Sequence, residues 1–283
     1  MSQAKLEKRD DDERFMREAL ELARRGAGTA RPNPMVGAVI VIDGKVVGRG
    51  WHERCGQPHA EVNAFASARA AGVERFSGST LYVTLEPCCH TGRTPPCVDL
   101  VIASGVSRVV CAMEDPNPLV AGKGFQALKK AGIEVSVGVL ERESRALNRA
   151  FIKHITTGLP YVILKSALSL DGKIATAQGE SKWISCEESR AEVHRLRAEC
   201  AAVMTGIGTV LADDPLLTAR CEGAQSAQGT RIVVDTNLRI PLSSRIALTA
   251  RETPAIVAVS ARTVECADGA MRAKLAALEA AGV

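Results

Sequence analysis

Apolar positions recur with a helical period over residues 12–25, where Phe15, Ala19, Leu22 and Ala23 share a face and Gly26 supplies a stop. The period then shortens. Residues 36–42 and 46–51 are compact apolar runs on either side of Asp43-Gly44, a pair that favours a two-residue hairpin turn. A helix follows from His59, with Val62, Phe65, Ala66 and Arg69 at helical spacing and Gly72 able to close it. Residues 81–85 read as a buried strand, a helix is expected after Cys97, and residues 108–113 form another strand. A helix over 126–133 ends in Ala-Gly and leads into the strand-like Glu134-Val135-Ser136-Val137. These elements predict an α/β/α layered domain.

The second half repeats the alternation. Residues 142–157 predict a helix ending at Gly158, and Leu159-Pro160 opens a strand over 161–164, so the domain boundary is placed near Ala150, giving domains 1–150 and 151–283. Strands at 201–205 and 231–234, with Gly206-Ile207-Gly208 leading into a helix, predict a mainly parallel sheet. Gly206 and Gly208 have the spacing of a diphosphate-cradling turn, but the third glycine of that fingerprint is replaced by Leu211. Residues 271–281 read as a helix, Gly282 as its stop and Val283 as the first residue of a strand.

Composition narrows the function classes. With 46% hydrophobic and 24% charged residues over 283 positions, the chain has material for two soluble cores. Only 3% of residues are aromatic, which disfavours a stacking platform for single-stranded nucleic acid. The net charge of +4 is modest and its arginines are dispersed, suiting an anionic small molecule better than nucleic acid. Nine cysteines, an odd number, follow a charged start without an apolar signal segment, so a reducing, cytoplasmic setting is expected. No run approaches the ~20 apolar residues of a membrane span.

The chemistry concentrates at His59-Ala60-Glu61, Pro87-Cys88 and Cys97. One imidazole, two thiolates and a non-ligand carboxylate are the components of hydrolytic deamination at zinc. Three protein ligands leave zinc a position for water, whose pKa the metal lowers to about 7. Glu61, two residues after His59 at a helix start, is placed to accept that proton and deliver it to the leaving amine. A histidine with a glutamate two places on is weak by itself; the cysteine element raises its weight, although eight residues separate Cys88 from Cys97 where two are common. Cys89 and His90 compete for the third ligand position, but adjacent residues rarely both reach one ion, and Cys97 is preferred with Cys89 as an inert neighbour.

Pro32-Asn33-Pro34-Met35-Val36-Gly37, Gly56-Gln57-Pro58-His59-Ala60-Glu61, Thr84-Leu85-Glu86-Pro87-Cys88 and Gly92-Arg93-Thr94-Pro95-Pro96-Cys97 resemble the bifunctional riboflavin-biosynthesis deaminase/reductase family. Ser169-Leu170-Asp171-Gly172-Lys173, Gly179-Glu180-Ser181-Lys182-Trp183-Ile184 and Thr209-Val210-Leu211-Ala212-Asp213-Asp214-Pro215 resemble its reductase half. The resemblance implies a cytidine-deaminase-like zinc domain joined to a dihydrofolate-reductase-like domain. It also implies two successive steps on a phosphoribosylated diaminopyrimidinone: hydrolysis of a ring amine, then NADPH-dependent reduction of ribosyl to ribityl. The zinc ligands it implies are His59, Cys88 and Cys97, with Glu61 as proton donor and acceptor. Its cofactor contacts fall on Ala167, Trp183, Thr209, Asp213 and Thr236, and its substrate contacts on Ser181, Arg197, Leu217 and Arg220. The family's reductase continues into a glutamate- and glycine-containing segment not found here, so the second domain is expected to be incomplete at its C-terminus.

Single polar residues carry less. Asn33 suits a pyrimidine edge, though asparagine between prolines is also a common turn. His52 and His90 are as well explained as structural histidines, and His154 and His194 as helix-surface residues. Lys165 is a second-tier phosphate contact at a strand end. Arg197 and Arg220 suit phosphate by their guanidinium forks, against a surface ion pair. Two rival functions are a nucleic-acid base deaminase and a deaminase whose second half only binds or oligomerises. The preferred partners are the small pyrimidine substrate and further copies of the chain, with neither nucleic acid nor membrane.

Overall fold

The computed structural model describes all residues except 1–2, 91–94, 119 and 222–227, with backbone alone for 3–7. The chain divides into two compact units, Met1–Ile163 and Leu164–Val283, so the break follows the last helix of the first unit, C-terminal to Ala150.

In the first unit, α1 (Gln3–Arg24) precedes the hairpin of β1 (Gly37–Ile42) and β2 (Lys45–Trp51). Asp43 and Gly44 have φ of 48° and 72°, the pair of positive values a type I′ turn requires. Then come α2 (Ala60–Ala70), β3 (Thr80–Val83), α3 (Cys97–Ser104), β4 (Arg108–Cys111), α4 (Lys123–Lys130) and β5 (Glu134–Val137). The sheet order is β2-β1-β3-β4-β5, with β1 antiparallel to both neighbours and β3, β4 and β5 parallel.

Because side chains alternate across a strand, the apolar runs of β1, β3 and β4 bury both faces. Ile40, Leu81, Val83 and Val109 pack with Phe65, Val101 and Leu128 on the face carrying α2, α3 and α4. Val39, Val41, Tyr82 and Val110 pack with Phe15, Met16 and Leu20 of α1 on the other. The predicted three-layer sandwich is therefore present. Small residues set how closely α2 approaches the sheet: a Cβ at Gly48 or Gly50 would collide with the backbone of Ala60 or Ala64. On the α1 side, Arg108 clamps the Asp12 carboxylate through two 2.8 Å bonds, and Tyr82 donates its hydroxyl to the same carboxylate at 2.9 Å.

The helix expected over 142–157 is two helices, α5 (Glu141–Leu147) and α6 (Arg149–Thr157). Asn148 breaks it, because its side chain accepts from the Met35 amide at 2.8 Å and donates to the Met35 carbonyl at 2.9 Å. A tertiary contact thus overrides a continuous helical period.

The second unit contains α7 (Glu187–Glu199), β6 (Ala202–Gly206), α8 (Ile207–Asp213), β7 (Thr230–Val234), α9 (Arg245–Leu248), β8 (Ala255–Ala258), α10 (Ala261–Glu265) and α11 (Gly269–Ala281). β6, β7 and β8 are parallel in that order, as the alternation predicted. Val233, Ile207, Val210, Ile246 and Leu278 share its core. The strand expected over 161–164 does not form: these residues are irregular and exposed, Leu164 at 93%, and pair with no strand among the described residues. A strand needs a ladder partner for its amides and carbonyls, which an apolar run alone does not supply. Lys165 accordingly ends no strand. Val283 is likewise not a strand residue; its amide donates to Leu278 O at 3.0 Å, closing α11.

Candidate active site

Three junctions between elements converge beyond the C-terminal end of β3, the central strand of the first sheet. His59 is the N-cap of α2, one residue before the helix rather than within its first turn. Cys88 follows β3, and Cys97 is the first residue of α3. Since β3 and β4 are parallel, their C-terminal ends open on the same side, where α/β sheets place ligands.

The His59, Cys88 and Cys97 donor atoms lie within 4.8 Å of one another. His59 Nδ1 is 3.3 Å from Cys97 Sγ and 3.7 Å from Cys88 Sγ. Donors on a tetrahedral zinc with the usual bond lengths stand about 3.5 Å apart, so this set fits that ion with little rearrangement. Cys89 packs beside the apolar core instead. The Cys97 amide donates to Cys88 Sγ at 3.3 Å, which orients the sulfur and favours its anion. Hydrogen bonds from Cys97 and His59 hold the Cys88 thiol well below the usual thiol range despite burial. Sharing a proton with that thiolate pushes Cys97 upward, and the bond to Cys88 raises His59.

Glu61 lies in the first turn of α2 and is 3% exposed. Burial is the main force lifting its carboxyl to about 7, the range in which a carboxyl exchanges protons at neutral pH. It borders a cavity of about 410 Å³, within the span of small-molecule sites.

Four further residues line that cavity, of which Asp115 and Asn117 are not expected from the sequence. His52 and His90 both line it, as do Asp115 and Asn117. His52 is buried, faces Pro58 O through Nδ1 at 3.1 Å and Asn33 Nδ2 through Nε2 at 3.0 Å. Burial lowers its pKa, so the ring is a neutral support that receives the Asn33 amide. Asp115 and Asn117 sit just past β4, in a Pro-flanked run that echoes Pro32-Asn33-Pro34. That echo, at a strand's C-terminal end, was their signal. Residues 91–94 of the expected substrate loop, Arg93 included, fall outside the described residues.

In the second unit, Arg197 and Arg220 meet around Thr218, with bonds of 3.4 and 3.5 Å to its carbonyl and hydroxyl. His194, expected on the helix surface, joins them: Nδ1 accepts from the Arg220 amide at 3.2 Å and Nε2 is 3.3 Å from the Arg220 guanidinium. Burial and these two cations lower its pKa. No carboxylate pairs with either arginine among the described residues, so the cluster suits an anion. Thr236 lines a separate cavity of about 520 Å³ beyond β7 and β8. Thr209 and Asp213 lie exposed on α8, Ala167 and Ser181 are half-buried in irregular chain, and Leu217 is buried. Trp183 is 71% exposed, with the Arg190 guanidinium 4.5 Å from its ring centre. These positions are not gathered around the Thr236 cavity.

Residues 9–113 match the cytidine and deoxycytidylate deaminase zinc-binding region, and residues 160–276 match the RibD C-terminal domain. The riboflavin biosynthesis protein RibD of Aquifex aeolicus is 52% identical over 249 residues, covering 88% of this chain and 68% of that protein. RibD of Escherichia coli is 51% identical over 243 residues, covering 86% and 65%. The chain therefore spans about two thirds of these relatives' length. Among solved structures, Acinetobacter baumannii RibD matches with a TM-score of 0.84 at 44% identity, covering 97% of this chain and 73% of that one. A Thermotoga maritima diaminohydroxyphosphoribosylaminopyrimidine deaminase/5-amino-6-(5-phosphoribosylamino)uracil reductase matches with a TM-score of 0.83 at 44% identity, covering 89% and 70%.

Proposed function

Because the chain belongs to the RibD family of riboflavin-biosynthesis proteins, we propose that its first unit hydrolytically deaminates a phosphoribosylated diaminopyrimidinone and its second reduces the ribosyl group of the product. The observation that carries this reading is the convergence of His59, Cys88 and Cys97 beside the buried carboxyl of Glu61. Zinc held by those three residues supplies the Lewis acidity that makes water nucleophilic at neutral pH. Glu61 takes one proton from the attacking water and gives it to the ring nitrogen, then carries the second, from the added hydroxyl, to the departing amine, so that a carbonyl remains and ammonia leaves. Its burial serves this task, since a carboxyl lifted to about 7 both accepts and donates readily at neutral pH. Asn33, steadied by neutral His52, and the Asp115–Asn117 wall offer hydrogen bonds to the pyrimidine edge. The scale of the cavity suits one ring, and extrusion of a base from a polynucleotide is not needed.

For the reduction, the anion-ready Arg197–Arg220 pair supports recognition of the sugar phosphate. NADPH, when bound, would supply the hydride. Ala167, Trp183, Thr209, Asp213 and Thr236 are the proposed cofactor contacts, with Ser181 and Leu217 completing the substrate side. The cavity at the C-terminal ends of parallel β7 and β8, which includes Thr236, fits part of such a dinucleotide. Among the described residues no helix is long and apolar enough to cross a membrane, and assembly into a homo-oligomer in the cytoplasm belongs to the same reading.

Hydrolysis in ¹⁸O-water tests the deaminase reading. The zinc-loaded chain is expected to convert the diaminopyrimidinone ribosyl phosphate to a product carrying one solvent oxygen in place of the lost amine. Ammonia release without solvent oxygen would contradict it.

A further inference from the structure

Glu86 borders the cavity yet cannot act as its acid or base, because both carboxylate oxygens are already occupied. Oε1 accepts the amides of Gly124 and Phe125 at 2.9 and 3.3 Å, and Oε2 those of Gly122 and Asp115 at 2.9 and 3.2 Å. The side chain is 3% exposed, so its charge is balanced by four amide dipoles rather than by water. Three of those amides open α4, whose own N-cap, Gly122, has no side chain to offer. Glu86 thus caps from another element, where a negative charge also opposes the positive end of the helix. Its backbone is tied as well, the Glu86 amide donating to Met113 O at 3.1 Å. A Cβ at Gly124 would collide with Pro87 O, so only glycine lets α4 approach this closely.

The fourth amide links this latch to the cavity wall. Asp115 N is bound to Glu86, and Asp115 Oδ1 in turn accepts the Asn117 amide at 2.9 Å. We propose that Glu86 is a positioning residue: its carboxylate latches the start of α4 and Asp115 to the strand end that carries Cys88, fixing the Asp115–Asn117 wall against the substrate. This rests on the deaminase reading for its substrate, but the latch itself does not.

The test is Glu86→Gln in the full zinc-loaded chain. Glutamine keeps the shape but presents an NH₂ group to two amide donors that need an acceptor. Zinc is expected to remain at wild-type stoichiometry, while the amides of Gly122, Gly124 and Phe125 lose hydrogen-exchange protection. KM should rise about tenfold with kcat changed far less, the mark of lost substrate binding. In an Asn117→Ala background the substitution should add little, since both act through one wall. Unchanged protection, additive losses in the double variant, or a fall in kcat accompanied by zinc loss would overturn the proposal. Should the glutamine variant fail to fold, Gly124→Ala lifts α4 from Pro87 with the carboxylate intact and is read by the same criteria. A wild-type chain that released no ammonia would overturn the deaminase reading, and the exchange measurement would still decide the latch.

Discussion

In the proposed mechanism Glu61 and the three metal-ligating candidates divide the chemistry between proton transfer and metal retention, and substitutions should separate the two. Glu61→Gln should lower ammonia release about 10²–10⁴-fold while zinc content stays constant, because it removes a proton carrier and no ligand. Cys97→Ser should lose zinc and Cys89→Ser should keep it, as metal analysis of the purified variants would determine; the reverse pattern would sink the ligand set. Asp115 gives a pH signature. Burial, aided by the nearby Glu86 charge, lifts its carboxyl to about 6, whereas an unfolded aspartate titrates near 3.9. The folded chain holds that proton more tightly, so the contribution to stability is complete below about pH 4 and is lost as pH rises through about 6. Urea unfolding of the metal-free chain should therefore show wild type losing stability relative to Asp115→Asn across this window, and a constant difference would contradict the assignment. His59, Glu61, Cys88 and Cys97 could be grouped from the sequence because their residue types are those of a zinc-deaminase set, and the structure brings the three donor atoms together. Asp115, Asn117, His52 and His90 were harder to read because one polar residue beside a proline or a strand end looks the same whether it lines a cavity or a turn.

At the scale of elements, sequence pattern was a good guide wherever a segment's burial depends on its own period. The hairpin at Asp43-Gly44, the buried strands β1, β3 and β4, and the helix stops at Gly158 and Gly282 all follow from local rules. It failed where a distant partner decides the outcome. The α5–α6 break depends on Asn148 meeting Met35, more than a hundred residues away in the chain, and residues 161–164 find no ladder partner among the described residues. Asn148→Ala should destabilise the first unit by about 1–3 kcal/mol by leaving the Met35 amide and carbonyl unpaired. Thermal or urea unfolding reads this directly; an unchanged midpoint would mean that water replaces the side chain without loss.

Over the whole molecule, the two compact units are the proposed seats of two separate reactions. All the residues around the zinc candidates, from Pro32 to Phe151, lie in the first unit. A chain ending at Ile163 should therefore keep zinc and ammonia release while losing NADPH oxidation, and loss of zinc from that fragment would show that the first unit depends on the second. The most direct test of the account follows both reactions in one vessel: the purified, zinc-loaded chain is given the diaminopyrimidinone ribosyl phosphate and NADPH, and ammonia and NADPH are measured together. Ammonia release followed by equimolar NADPH oxidation is the predicted result. NADPH oxidation without ammonia, or no ammonia at all from the zinc-loaded chain, would contradict it.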